Sequence, residues 1–201
     1  MVTNRITRGG AARRAFLLAL VAVLVAAALG ACGDSGNTTG TPVVDKAADA
    51  ERLNVVLARE LAAVRAYDRV LPLLRGRALA SARQFRAQEQ EHVDSIVKAL
   101  RGLGEKAEPE DEEIESVEEL KTQADALRFL YEVESISVAG DLRAIPHLTT
   151  SWPPALLGSI AANQAQHLVL LRQLLGADPA ESIPEAFEDG TTPDPTEKLA
   201  E

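Results

Sequence analysis

Cysteine, aromatic residues and clustered basic residues are scarce in this chain of 201 residues. Its single cysteine excludes a fold held together by intramolecular disulfides, because each bridge needs two thiols. Aromatic residues make up only 3% of the chain, which disfavours a β-sandwich, since strands are usually rich in them. The 21 basic residues are interleaved with 30 acidic ones, whereas binding to phosphates needs clustered Lys and Arg. Nucleic acid is therefore excluded as a partner.

The residues that are abundant favour helix over sheet. Ala, Leu, Glu and Arg predominate, and all four are good helix formers. Hydrophobic residues at 46% and charged residues at 25% are close to the averages of globular domains. The sequence shows no nucleophile triad, P-loop or dinucleotide motif. We therefore predict an all-α protein with one domain and short appendages.

The first 31 residues have the composition of a bacterial export signal. They contain several arginines and no acid, and they include an apolar run over residues 15–29. This run is shorter than the roughly 20 residues that a permanent membrane-spanning helix needs. The sequence Leu-Gly-Ala-Cys that ends at Cys32 resembles the bacterial lipobox, in which the cysteine is acylated and becomes the mature N-terminus. An ordinary cleavable signal followed by a chance cysteine is the alternative.

Two export routes remain open. Arg13 and Arg14, followed by Ala-Phe-Leu, resemble a twin-arginine motif, which would imply that the protein folds before export. The apolar run equally suits the route for unfolded chains. By either route, acyl chains such as palmitate on Cys32 would hold the protein on the extracytoplasmic face of the bacterial cell membrane without spanning it.

The mature chain divides into three parts. Residues 32–47 have the composition of a flexible tether, and residues 177–201 form an acidic, proline-containing tail that we expect to be extended or disordered from about Asp178. Residues 48–176 between them should fold as a bundle. Helical spacing of apolar residues occurs in four segments, 48–71, 77–102, 116–145 and 153–175. Their lengths suit a four-helix bundle with a long crossover between helices 2 and 3.

The two helical hairpins align as an internal repeat. A proline lies 12 residues after each of Glu60 and Glu134, and a histidine follows each glutamate after 32 or 33 residues. Helical spacing places the following polar residues on the inward, otherwise apolar stripes: Glu60, Tyr67, Glu89, His92, Glu134, Asp141, Gln164 and His167. Buried carboxylates cost several kcal/mol unless cations or protons neutralise them. The pattern therefore predicts a metal site inside the bundle, with Tyr67 packed or hydrogen-bonded near Glu134.

At these positions the sequence resembles the ferritin-like superfamily, in which two helices each give one Glu and two each give Glu-x-x-His to a pair of metal ions. The similarity covers most of residues 48–176. More narrowly, the sequence resembles exported bacterial ferritin-like domain proteins, in the pattern from Glu60 to Tyr67 and in the Ile-Pro-Glu-Ala-Phe motif of residues 183–187. The resemblance implies the metal ligands Glu60, Glu89, His92, Glu134 and His167, with Glu89 and Glu134 or its partner bridging. It also shows one departure, because Gln164 stands where the family has a glutamate.

Gln164 replaces an anionic ligand with a neutral amide. Two divalent ions held close together repel strongly and need several carboxylates. We therefore expect a degenerate site, in which Glu60, Glu89 and His92 hold one ion and a second ion binds weakly. Iron, as one or two ions, is the expected metal, and manganese and zinc remain alternatives. Ferroxidase activity needs two redox-active ions and is disfavoured by Gln164.

Two classes of function remain. The first is a membrane-tethered, ferritin-like metal-binding lipoprotein. The second is a metal-free helical bundle that acts as an interaction module in the cell envelope, in which Gln164 hydrogen-bonds Glu134 and His167 in place of a metal. A homo-oligomer and an unidentified envelope partner are compatible with both classes.

Overall fold

The computed structural model describes residues 43–112, 114, 119–180 and 182–183. Within these residues the chain forms four α-helices and no strand. The helices are α1 (Lys46–Val70), α2 (Gly76–Leu103), α3 (Gln123–Ala144) and α4 (Pro153–Leu175). A short 3-10 helix follows α1 at Leu71–Leu73, and another follows α3 at Ile145–His147. The prediction of an all-α four-helix bundle is confirmed.

Several predicted features lie outside the described residues. They are the signal peptide of residues 1–31, the acylation site Cys32, the export pair Arg13 and Arg14, and most of the tether and of the acidic tail. These features stay predictions from the sequence. The described structure begins near the end of the tether, and α1 starts at Lys46.

The four helices form two hairpins, α1 with α2 and α3 with α4, and α1 also packs against α3. The long link between α2 and α3 runs alongside α1. Asn54 of α1 accepts a hydrogen bond from the backbone of Glu108 at 2.8 Å, and Arg65 of α1 donates to the backbone carbonyl of Glu112. This long crossover, and the contact between the first and third helices, agree with the predicted topology.

The start of α3 differs from the prediction. Helical spacing suggested residue 116, but residues 119–122 are not helical and the helix begins at Gln123. Thr122 accepts a hydrogen bond from the backbone of Asp125, and Asp125 accepts one from the backbone of Thr122. This reciprocal capping satisfies amide groups that the first turn leaves without partners, so the helix starts there.

The core consists of two apolar clusters separated by a polar layer. Tyr67, Phe85, Leu130 and Leu171 belong to one cluster. The second cluster includes Leu53, Ile96, Leu100 and Leu157. Along α1, α2 and α4, the polar residues of the predicted site come between the residues of these two clusters. None of the described helices has the length and apolar character that crossing a membrane requires.

The beginning of the acidic tail packs against α4 instead of extending away from it. Arg172 of α4 donates a hydrogen bond to the backbone carbonyl of Ile183 at 2.8 Å, and Gln173 donates to the Ser182 hydroxyl at 3.1 Å. Ser182 is fully buried. The expectation of an extended chain from Asp178 is therefore wrong for these residues, because long polar side chains at the end of α4 satisfy their backbone and hydroxyl groups.

Candidate metal centre

All four helices contribute a buried polar side chain to one layer of the bundle. These side chains are Glu60 of α1, Glu89 and His92 of α2, Glu134 of α3, and Gln164 and His167 of α4. Five of the six are at most 1% exposed, and His92 is 8% exposed. The structure thus brings together every residue that the sequence proposed for the metal site.

The carboxylates and imidazoles form two groups that share one residue. Glu60, Glu89 and His92 make up the first group, and Glu89, Glu134 and His167 make up the second; in each, the potential ligand atoms lie within 4.8 Å of one another. Nδ1 of His92 lies 3.3 Å from one oxygen of Glu89, and Nδ1 of His167 lies 3.3 Å from the other. Glu89 therefore occupies the position of a bridge between the two groups.

The group around His167 is enclosed by neighbouring side chains. Tyr67 donates a hydrogen bond to Glu134, as the sequence suggested. Phe85 stacks on the His167 ring with centroids 4.1 Å apart. Nε2 of His167 lies 2.9 Å from Oε1 of Gln88, and because that oxygen only accepts, Nε2 carries the proton. Nδ1 lies 3.3 Å from an oxygen of Glu89 and 3.0 Å from one of Glu134, and it could bind a metal only after releasing its own proton.

The group around His92 is more open. His92 lines a cavity of about 290 Å³ between α2 and α4. The polar residues that line it are Gln88, Glu91, His92, Ser95, Ser159 and Asn163. The two groups therefore differ in access, because solvent-sized molecules can approach His92 from this cavity while Phe85 and Gln88 cover the His167 ring.

Gln164 pairs differently from the sequence-based expectation. Its Nε2 donates a hydrogen bond to Oε1 of Glu60 at 2.9 Å. The predicted pairing of Gln164 with Glu134 and His167 is absent among the hydrogen bonds of the described residues, because the amide reaches across the bundle to α1. The Gln164 amide therefore hydrogen-bonds one carboxylate oxygen of Glu60, which belongs to the more open group.

Burial and charge pairing shift the pKa values of the site in opposite directions. Burial alone would raise the pKa of Glu89, but hydrogen bonds with His167 and His92 outweigh it and lower the pKa to about 2. Burial alone would lower the pKa of the imidazoles, but the neighbouring glutamates raise it to about 10 for His92 and about 9 for His167. Burial raises the pKa of Glu60 well above its usual value. Without a metal, protons on the two imidazoles therefore offset the negative charge of the buried glutamates.

Several oxygens of this layer have no hydrogen-bond partner. They are Oε2 of Glu134, Oε1 of Gln164, and both carboxylate oxygens of Asp141. Buried polar atoms are normally satisfied, so a cluster of unsatisfied acceptors fits a cation that would complete their coordination. Carboxylate oxygens with imidazole nitrogens suit iron, manganese or zinc. The donor set thus fits the metal ion that the sequence predicts.

Asp141 was placed on the inward stripe of its helix by the sequence but was not proposed for the site. It is 1% exposed, and burial raises its pKa to about 7 although the charge of His92 opposes this shift. Its position among apolar residues at helical spacing was the available signal. The absence of a Glu-x-x-His pattern around it explains why it was not selected.

Comparisons with known proteins agree with this geometry. The model of the ferritin-like domain family matches residues 48–177. No curated protein sequence matches the chain. Among solved structures, a ferritin-like, diiron-carboxylate protein from Bacillus anthracis str. Ames is 19% identical in sequence, with a TM-score of 0.53. The alignment covers 65% of this chain and 97% of that protein's chain. Dps from Listeria monocytogenes is 15% identical with a TM-score of 0.56, and covers 69% of this chain and 97% of its own.

The two solved structures share the fold of this chain, and their low sequence identities carry the comparison no further than the fold. The family model, in contrast, spans most of the bundle. The helix order and the long crossover are features of a ferritin-like bundle, and the inward carboxylates and histidines of this chain form two candidate metal-binding groups. This chain belongs to the ferritin-like domain family.

Proposed function

We propose that this protein is a membrane-tethered metal-binding protein of the bacterial cell envelope, and that its bundle binds iron. The observation that carries the proposal is the pair of three-residue groups joined through Glu89 in the buried core. An apolar core of the same volume would avoid the cost of burying these acids, so their convergence from all four helices supports a cation-binding role.

Each residue near the proposed ion has a role that its contacts define. Glu60, Glu89 and His92 would hold the first ion, and Glu89 would also face a second position with Glu134 and His167. Glu89 is already ionised at neutral pH, whereas the imidazoles must release a proton before Nδ1 can bind a metal. Bound iron would supply one-electron redox chemistry.

The composition of the two positions supports one tightly held ion. Gln164 provides no negative charge, and its amide already hydrogen-bonds Glu60. A second ion beside the first would lack the carboxylate that usually offsets the repulsion between them. We therefore propose a degenerate two-metal site, and ferroxidase chemistry is not part of the proposal.

The membrane tether is supported by the sequence pattern alone. The Leu-Gly-Ala-Cys sequence at Cys32 follows an apolar run, and Cys32 is the only cysteine of the chain. We expect Cys32→Ala to abolish incorporation of a labelled fatty acid and to leave the protein unprocessed or released. Wild-type labelling of this variant would show that the lipobox interpretation is wrong.

Elemental analysis of purified protein tests the metal-binding proposal. We expect close to one iron or manganese ion per chain after loading without oxygen, and loss of that ion in Glu89→Ala and His92→Ala. Glu132→Ala is the matched control, because it removes an exposed acid of α3 two residues from Glu134. A wild-type protein that stays metal-free at millimolar metal concentrations would refute the proposal.

One observation favours the metal-free alternative. The hydrogen bonds of Gln164 to Glu60 and of Tyr67 to Glu134, together with protons on both imidazoles, satisfy much of the polar layer without a cation. In that case the bundle would act as an interaction module of the envelope, alone or as a homo-oligomer. Absence of bound metal, combined with unchanged thermal stability in chelator, would favour this function.

A further inference from the structure

Asp141 is a buried aspartate whose carboxylate the bundle leaves unsatisfied. It is 1% exposed, and neither of its oxygens has a hydrogen-bond partner. The fold satisfies another buried aspartate fully. Asp49 accepts hydrogen bonds from the backbone of Thr149 at 2.8 Å and of Thr150 at 2.7 Å, and from the Thr149 hydroxyl. The bundle therefore supplies hydrogen-bond donors to Asp49 but none to Asp141.

The internal repeat explains where this carboxylate lies. Asp141 follows Glu134 by seven residues, as Tyr67 follows Glu60, so the two occupy equivalent positions of α3 and α1. A second pair of equivalent positions also differs between the halves: Gln164 of α4 occupies the position that Glu89 has in α2. The second half has thus lost a carboxylate at one inward position and gained one at another.

The equivalence also indicates which group Asp141 faces. Tyr67 of the first half donates a hydrogen bond to Glu134 of the second half. The same pseudo-symmetry relates Asp141 of the second half to Glu60 of the first. No direct hydrogen bond joins the two residues, since both oxygens of Asp141 are unsatisfied and an aspartate side chain is shorter than that of a tyrosine.

The charged groups around Asp141 come from two helices. Its electrostatic neighbours are His92 and Glu89 of α2 and Arg59 of α1, and Glu60 is in turn influenced by Asp141. Arg59 reaches this region because residue 140 is a glycine; a Cβ atom there would lie 2.5 Å from its Nη1. Arg59 makes no hydrogen bond to Asp141, whose oxygens are both unsatisfied, and its Nε lies 3.8 Å from Glu112.

We propose that Asp141 is a further residue of the metal site, which binds a water ligand of the ion held by Glu60, Glu89 and His92. This inference rests on the proposed function. We assign a water-mediated role because Asp141 is buried with both oxygens unsatisfied, yet it belongs to neither of the two groups whose ligand atoms lie within 4.8 Å of one another. Carboxylates that orient water or ligands around an ion typically change metal affinity 10- to 100-fold, to order of magnitude, when they are removed.

Calorimetric titration of the metal-free bundle with Mn²⁺ under fixed pH tests this role. We expect Asp141→Asn, which keeps the shape but removes the charge, to weaken Mn²⁺ binding about 10- to 100-fold. Asp49→Asn is the matched control, because it neutralises a buried aspartate outside the site, and we expect its Mn²⁺ affinity to equal that of wild type. Circular dichroism establishes that both variants keep their helices.

The outcomes separate this inference from the proposed function. If Asp141→Asn binds Mn²⁺ as tightly as wild type, Asp141 has no role at the ion, although the metal site itself stands. If Asp49→Asn weakens binding to the same extent, the effect reflects the integrity of the bundle and the inference is overturned. If wild type binds no Mn²⁺ and no iron, the proposed function fails and this inference fails with it. A structural role with Arg59 would instead lower the melting temperature in chelator and leave the affinity unchanged.

Discussion

Replacing Gln164 with glutamate should change stability and metal binding in opposite directions. In wild type the Gln164 amide donates to Glu60 at 2.9 Å. Gln164→Glu removes this donor and brings two carboxylates together in a fully buried position. At an effective dielectric constant of about 20, two like charges about 3 Å apart repel by about 5 kcal/mol, and sharing one proton would reduce this cost.

We therefore expect the metal-free variant to lose about 3 to 5 kcal/mol of unfolding free energy, because a buried hydrogen bond is lost and a shared proton relieves only part of the repulsion. For a domain of this size, each kcal/mol corresponds to roughly 3 °C, so the melting temperature in chelator should fall by roughly 10 °C or more. With metal present the sign reverses, because the new carboxylate supplies the negative charge that the second position lacks. The expected occupancy then rises from one ion to two per chain.

Thermal melts with and without chelator, combined with elemental analysis, measure both effects on the same samples. Gln166→Glu is the matched control, since it makes the same chemical change at an exposed position two residues along α4. A Gln164→Glu variant that is as stable in chelator as wild type would show that residue 164 is not close to an ionisable Glu60. A variant that still binds at most one ion would show that charge at position 164 does not limit the occupancy.

Two further predictions follow from the pKa shifts and hydrogen bonds of the site. The pKa of His92 is about 10 in the folded chain and about 6.5 when unfolded, so its stabilising contribution is complete below about pH 6.5 and is lost as the pH rises towards 10. Melting temperatures in chelator should therefore fall from pH 6 to pH 9, whereas Mn²⁺ affinity, measured by calorimetry, should rise because the imidazole proton must leave. Tyr67→Phe removes the hydrogen bond to a buried carboxylate and should cost about 1 to 3 kcal/mol in urea unfolding; an unchanged midpoint would contradict this.

The helices and the membership of the site were predictable because both depend on periodic features. Apolar spacing identified the inward stripes, and the repeat placed Glu60, Glu134 and the two histidines at equivalent depths. A bundle of helices must bring equivalent inward positions together, so the convergence seen in the structure was expected. These predictions needed no knowledge of individual side-chain conformations.

The details that failed depend on local competition between hydrogen-bond partners. The start of α3 was predicted too early. Apolar spacing extends to residues before Gln123, but the reciprocal hydrogen bonds between Thr122 and Asp125 set the start of the helix. The partner of Gln164 was missed because helix rotation decides whether its amide reaches Glu60 or Glu134. Pairings of this kind involve residues about 100 positions apart, and no periodic pattern specifies them.

The two halves of the candidate metal site are related by the repeat but have diverged in access and in charge. His167 is stacked on Phe85 and hydrogen-bonded to Gln88, whereas His92 lines a cavity of about 290 Å³. In the enclosed half, the hydrogen bonds of the buried side chains are shielded from solvent. This shielding favours a fixed side-chain geometry without exchange of a bound ion. The open half has the more accessible imidazole, since His92 is 8% exposed and His167 is 1% exposed. Exchange of an ion with solvent should therefore occur at His92, and Glu89 links that exchange to the enclosed half.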